Sequence, residues 1–326
     1  MIKILINTII GLILIFIWSR FVNLSEIFQT ISKVNLSVLI LVFFFLLASP
    51  IIRALRLKIF LSEIKDIKLL DLIFLNGAAQ ILNFFIPIRA GEIAKGVFLN
   101  TNYGLNLGKS IIWIFLDRFV DFLAVLMVSS ILFGIIPTNI PQSFAQTIIV
   151  IFLIALIITY LAIFNRNLIQ TISKMMSHIL IFKSIRIYFD RFSNFVLDSF
   201  SILKRNPKDL IIMIFLTILA YGADAAVWYF SFISLSSHQD FLKMYLGQLL
   251  SALTYLIPAA PGYVGSAEAS GLLILSGVFN IDKNLASAMI VLFHILSAIF
   301  VLIFGLISIY SLKLNLGVIL KKALRK

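Results

Sequence analysis

The sequence predicts an all-α polytopic membrane protein, with about six full transmembrane helices plus two re-entrant hairpins in an inverted-topology repeat. Three observations lead there. Of the 326 residues, 61% are hydrophobic and only 13% are charged, outside the range of a water-soluble domain. Uncharged runs recur at 34–52, 72–88, 122–165, 244–267 and 284–312, and a bilayer-spanning helix needs about 20 apolar residues. Two of these runs carry a proline followed four residues later by a glycine, Pro87 with Gly91 just past the end of its run and Pro258 with Gly262 within its run. A transmembrane barrel is excluded, because its strands alternate apolar and polar residues whereas these runs are apolar on every face.

The elements follow in order. Lys3 and the apolar stretch 4–18 resemble a signal peptide, but residues 19–23 offer no small-residue cleavage site, so an uncleaved first span is expected. Span two is 34–52. The basic stretch after it, with Arg53, Arg56, Lys58, Lys65 and Lys68, reads as a cytoplasmic loop by the positive-inside rule. Span four covers about 110–136. Pro137, Pro141 and an uncharged turn lead into span five, 145–164. Residues 165–209 carry eight Lys or Arg and include a helical-period apolar stripe through Ile185, Tyr188, Phe189, Phe192, Phe195 and Val196, the pattern of an interfacial amphipathic helix. If 72–88 crossed fully, that basic segment would lie outside. A hairpin returning to the cytoplasmic side removes the conflict, and the same reasoning makes 244–280 re-entrant. Both termini are then cytoplasmic, in a multi-pass membrane protein.

Composition also bounds the chemistry. The absence of cysteine removes disulfides and thiolate sites, and three scattered histidines, with no HExxH, Walker A or GxGxxG pattern, suggest no metal or cofactor. The excess of 27 basic over 14 acidic residues fits loops lying on anionic lipid. No polar basic domain exists to bind nucleic acid.

The two hairpins align without gaps at a constant offset of 171, Leu82 to Gly91 on Leu253 to Gly262. The chain thus reads as one domain, 1–326, with a first repeat at about 34–136 and a second at about 210–312. Broken helices at matching places in two halves point to a transporter's binding site. Pro87, Gly91, Pro258, Pro261, Gly262 and Gly265 are expected to shape the tips, since proline stops a helix and glycine lets the backbone turn. Glu92 and Glu268 fall in the first turns of helices restarting there, as dipole-compensating caps or as ligand contacts. Asp117, Arg118 and Asp121 share one helix face in span four, and Asp224 lies at depth in span six with Arg118 or Arg89 as its expected partner. His294 on the last span, and Arg89 and Lys95 flanking the first hairpin, complete the candidates.

The stretch 76–80 through Asn83, Pro87, Arg89, Gly91, Glu92 and Lys95, the block Asp117-Arg118-Phe119-Val120-Asp121, and the block 258–268 resemble the flippase-like transmembrane region of lysylphosphatidylglycerol synthases. Arg53-Ala54-Leu55-Arg56 is similar to that family too. The resemblance covers nearly the whole chain and implies a polytopic protein of the cell (inner) membrane that moves a lipid, or a lipid-linked head group, between leaflets rather than a catalyst. The chain departs from the family in lacking the soluble aminoacyl-transferase domain, and in carrying His294 where an arginine-type residue is expected. The implied binding residues are Asn83, Arg89, Glu92, Lys95, Arg118, Asp121, Asp224, Glu268 and His294; the implied partners are membrane lipids and a separately encoded lipid synthase or glycosyltransferase. Two rivals stand beside this reading. One is an intramembrane transferase or phosphatase using Asp117, Asp121 or Glu268 on a lipid-linked sugar, and the other is a noncatalytic partner of a separate synthase.

Overall fold

The computed structural model describes residues 2–62, 65–86, 90–105, 107–179, 183–203, 207–254 and 260–314, and the regular structure among them is helical throughout. Five helices are long and apolar enough to cross a membrane: α3 (Leu36–Ser62), α6 (Leu107–Ile135), α7 (Gln142–Phe164), α10 (Pro207–Ser234) and α13 (Lys283–Ser311). At about 1.5 Å per residue, the 27 residues of α3 reach about 40 Å, beyond the ~30 Å hydrocarbon core. Near the N-terminus α1 (Ile2–Ser19) and α2 (Leu24–Ser32) are bent by 89° across a short break and amount to a sixth span if taken together. The protein is therefore a multi-pass membrane protein with five or six long apolar segments. α7 shows why: Val150, Leu153, Ile154, Ile157, Ile158 and Tyr160 are exposed around it, which is stable only where the surroundings are hydrocarbon.

Between the long helices lie two pairs of short ones. α4 (Leu69–Phe85) is followed by α5 (Ala90–Tyr103), and α11 (Phe241–Thr254) by a 3-10 turn (Pro261–Tyr263) and α12 (Ser266–Leu272), which runs into a π-helical stretch, Leu273–Val278. Helices thus restart close to Gly91 and Gly265. Pro87, Arg89 and Pro258 lie outside the described residues. The basic segment forms α8 (Arg166–Ile179) and α9 (Lys183–Leu203), where the amphipathic stripe falls.

Packing repeats across the two halves. α3 begins at residue 36 and α10 at 207, which is 171 later. α3 packs on α4 as α10 packs on α11, and α5 on α6 as α12 on α13. α4 also packs on α13, α11 packs on α6, and α3 and α10 share the most extensive helix pairing in the molecule.

Two large apolar clusters form the core, with a small third one of Leu82, Ala90, Ala94 and Val97 beside the first break. One gathers Trp228, Phe232, Met244, Leu249, Leu275 and Met289. The other gathers Phe60, Leu61, Leu72, Phe98, Leu116 and Phe200. On α6 the second cluster ends at Val120 and the first begins at Val125; on α10 the corresponding limits are Met213 and Ala225. Asp121 and Asp224 fall in this seam, and Asp117 and Arg118 lie just before it on α6, beside Leu116 and Val120.

The sequence expectation fails at the end of span two. α3 continues ten residues past Ile52, so Arg53 and Arg56 are not loop residues. A guanidinium placed inside a bundle is stable only with anionic partners, and both side chains have them.

Candidate functional site

Arg53 and Arg56 are one helical turn apart on α3, and Asp117, Arg118 and Asp121 lie within one turn of α6, so each helix presents its charges on one face. Arg56 Nη2 lies 2.6 Å from Asp117 Oδ1, and Arg56 Nη1 donates to Asp121 Oδ1 and, at 2.5 Å, to Thr217 Oγ1 of α10. Arg118 donates to Asp121 Oδ2 and Asp117 Oδ2, both at 3.1 Å, and its Nη2 stands 3.2 Å from Glu92 on α5. Lys95 Nζ is 3.8 Å from Glu92, one turn earlier on the same helix. Arg53 Nη2 donates to Asp224 Oδ2 of α10 at 2.8 Å, with Nη1 3.7 Å from Asp121 and the guanidinium 5.0 Å above the Tyr221 ring. Four cationic side chains, Arg53, Arg56, Lys95 and Arg118, thus face four carboxylates, those of Glu92, Asp117, Asp121 and Asp224, and the cluster is electrically balanced.

The cluster has an inner and an outer layer. The Arg56 side chain is 1% exposed and those of Asp117 and Asp121 are 9% exposed, whereas Arg118 is 39%, Asp224 29% and Arg53 22% exposed. The inner layer ties α3, α6 and α10 together. The outer layer borders a cavity of about 550 Å³, whose wall includes Arg53, Glu92, Lys95, Arg118, Asp121 and Asp224 together with Asn76, Gln80, Asn83 and Gln248. Gln80 Oε1 and Arg118 Nε are buried there without a hydrogen-bond partner among the described residues.

Local sequence explains how the wall is held. Pro50 deprives the carbonyl of Leu46, itself on the cavity wall, of its helical donor. One turn away, Asn76 Nδ2 of α4 donates to the Pro50 carbonyl at 3.1 Å, fixing α4 to α3 at this point. Asn83 Oδ1 accepts from the Gly91 N–H at 2.8 Å and so caps the start of α5. Gly91 has no room for a side chain, since a Cβ there would lie 2.2 Å from the Ala79 carbonyl oxygen. That close approach places Glu92 and Lys95 beside α4.

The second broken helix is built differently. Gly262 (φ +73°), Tyr263 (φ +58°) and Gly265 (φ +81°) turn the chain in the left-handed region. At Gly265 a Cβ would meet the Gly11 oxygen of α1 at 2.0 Å. Glu268 Oε2 accepts from the Gly265 N–H at 2.7 Å, and Oε1 lies 2.5 Å from His294 Nδ1. His294 Nε2 donates to the Gly262 carbonyl at 2.7 Å. A proton is therefore held between Glu268 and His294, and the pair staples the turn to α13.

The structure brings Asn83, Glu92, Lys95, Arg118, Asp121 and Asp224 to one cavity. It places Glu268 and His294 together at the turn, where His294 borders a smaller cavity of about 170 Å³. Arg89 is outside the described residues. The partner of Asp224 is Arg53, not Arg118 or Arg89. Sequence reasoning passed over Arg53 and Arg56 as site residues. Their i, i+3 spacing and the unmatched acids downstream were the available signal. Among the described residues no group of three or more His, Cys, Asp or Glu is placed to hold a metal ion.

A helical bundle coated in hydrocarbon side chains around a charge-balanced cavity defines a polytopic membrane protein with an intramembrane polar site. The family model described as lysylphosphatidylglycerol synthase TM region matches residues 3–305, and the chain belongs to that family. A UPF0104 membrane protein of Methanocaldococcus jannaschii is 26% identical over 245 residues, 72% of this chain and 95% of the relative. Another, of Archaeoglobus fulgidus, is 22% identical over 302 residues, 87% of this chain and 89% of the relative.

Proposed function

We propose that the protein moves the polar head group of a lipid between membrane leaflets through the 550 Å³ cavity, while the hydrocarbon chains stay in the bilayer. The observation that carries this reading is the outer charged layer: Arg118 and Lys95 offer sites for phosphate or carboxylate, and Glu92 and Asp224 for an amine, all in one open polar space between membrane-spanning helices.

The two halves form an inverted-topology repeat around that space, with both termini cytoplasmic. The offset of 171 supports the repeat at several levels. It relates α3 to α10, the first tip to the second, and Phe133-Gly134 on α6 to Phe304-Gly305 on α13. It also separates Arg53 from Asp224, so these two occupy equivalent positions and pair with each other. In such a molecule the two access states interchange the conformations of the halves. A contact between residue i and the equivalent of j then becomes one between j and the equivalent of i. The Arg53–Asp224 pair maps onto itself, and it is the pivot. The α4–α13 packing maps onto α6–α11, and here the halves differ. A Cβ on Gly305 would lie 2.5 Å from Ile81 Cβ, whereas one on its counterpart Gly134 would meet nothing within 4 Å. On this reading the arrangement described corresponds to the state with α4 docked.

The orientation is checked by labelling single cysteines in this cysteine-free chain. Position 186 is expected to react only from the cytoplasmic side and position 138 only from outside; the reverse pattern would reject the charge-based placement. Transport is checked in reconstituted vesicles carrying head-group-labelled lipid. Label is expected to cross faster than in empty vesicles for at least one of the anionic, aminoacylated, isoprenoid-linked or glycosylated classes. Failure with all four would leave a synthase partner as the better reading, and a chemically altered lipid would favour the enzyme.

A further inference from the structure

Glu268 and His294 are ionisable groups at membrane depth that the charged cavity does not use. Both are committed to the backbone of one turn: Glu268 Oε2 accepts from the Gly265 N–H at 2.7 Å, His294 Nε2 faces the Gly262 carbonyl oxygen at 2.7 Å, and Oε1 and Nδ1 stand 2.5 Å apart. A carbonyl oxygen only accepts, and so does an ionised carboxylate. The three contacts therefore hold together only while the pair carries one proton more than a carboxylate and a neutral imidazole. Once that proton is lost, one contact fails. With the remaining hydrogen on Nε2, the Nδ1 lone pair confronts Oε1. With it on Nδ1, the Nε2 lone pair confronts the Gly262 oxygen. In either case α13 loses one of its two holds on the turn.

The turn so held is a working part of both cavities. Its Tyr263 lies on the wall of the large and the small one, and His294, whose side chain is 16% exposed, borders the small one. The first half has no such device. At the offset of 171, Val97 and Leu123 stand where Glu268 and His294 do, and Gly91 is held by the amide of Asn83, which does not titrate. Of the two turns, only the second is held by titratable side chains among the described residues.

The surroundings leave the pair to itself. Tyr263 is the other ionisable group on the small cavity's wall. On the helices packed against α12 and α13, Glu26 bonds to Asn284, Asp71 to Tyr103 and Asp224 to Arg53. Lys243 sits in the first turn of α11. Lys3 lies eight residues before Gly11 on α1, and Lys283 eleven before His294 on α13, about 12 and 16 Å along the helix axes.

We propose that the Glu268–His294 pair is a proton-binding site that couples leaflet exchange to proton movement: the proton leaves to water before the turn can come off α13, and one returns when the turn redocks. The proposal rests on the alternating-access reading and adds its coupling ion. Release leaves carboxylate and neutral imidazole, and the proton departs as hydronium. Low pH thus holds the turn on α13, and rising pH frees it.

The test uses the intact protein with His178→Gln and His238→Gln, which leaves His294 as the sole histidine of three. In vesicles, nitrogen-15 NMR of labelled histidine reads each ring nitrogen as protonated or bare. At pH 5 both are expected to carry or share a proton, and by pH 9 one is expected to be bare. Exchange of head-group-labelled lipid, from whichever of the four classes crosses, is expected to slow about tenfold from pH 8 to pH 5. Glu268→Gln keeps the contacts, its amide oxygen accepting from Gly265 and its NH2 donating to Nδ1, but has no proton to release. It should stay folded and lose exchange about tenfold at every pH. If it melts early instead, the NMR titration and the pH profile decide. Ring nitrogens unchanged from pH 5 to pH 9, exchange indifferent to pH, or normal exchange in a folded Glu268→Gln protein would each overturn the proposal. Exchange without titration of His294 rejects the proton site alone. Titration without exchange of any lipid keeps the proton site and rejects the transport reading on which its coupling role rests.

Discussion

Arg56→Leu is expected to destabilise the fold by roughly 3–5 kcal/mol, the usual cost of removing one partner from a buried ionic cluster. Arg56 is the innermost cation, and its guanidinium satisfies Asp117 on one nitrogen and Asp121 and Thr217 on the other. Its loss leaves Asp117 to Arg118, which already faces Glu92, and Asp121 to Arg118 and the more distant Arg53. Thermal unfolding in detergent should show a large drop for Arg56→Leu. Adding Asp117→Asn should recover part of it, because one uncompensated buried charge has gone. Arg56 lies off the cavity wall, so the double variant is expected to keep leaflet exchange where it folds. A single variant as stable as the parent would show that the inner layer does not hold the three helices together.

The burial of Arg56 also marks how far the sequence could be read. Asp117, Arg118 and Asp121 were legible because their i, i+3 and i, i+4 spacing places them on one face within an apolar run. The matching partners were not, since Arg56 and Asp121 lie 65 residues apart and Arg53 and Asp224 lie 171 apart. With no acid near them in sequence, two arginines at the end of an apolar run look like a positive-inside signal, and that rule moved the end of span two to residue 52. The broken helices were legible from Pro and Gly, but the role of Gly91 was not. It is required by contact with the Ala79 carbonyl rather than by a left-handed φ. Glu268 was placed correctly in the first turn of a restarting helix, yet nothing local indicated that His294, 26 residues on, would share its proton.

Gly134 and Gly305 supply the most direct test of the proposed transport cycle. In the structure described, Gly305 is packed tightly against Ile81, and a Cβ on its counterpart Gly134 would meet nothing within 4 Å beyond its own helix. When the halves interchange, Gly134 is expected to receive Ala252, the counterpart of Ile81 at the same offset of 171. Substituting Gly134→Cys and Ala252→Cys creates the only thiols in the protein, and a disulfide needs the two Cβ atoms about 3.5–4.5 Å apart. The pair should oxidise readily in vesicles, with lipid exchange falling to the empty-vesicle level and returning on reduction. Adding Gly305→Val, which pushes α4 off α13, should speed cross-linking by shifting the population toward the other state. A pair that resists oxidation while exchange proceeds normally, or that oxidises fully without slowing exchange, would contradict movement by interchange of the two halves.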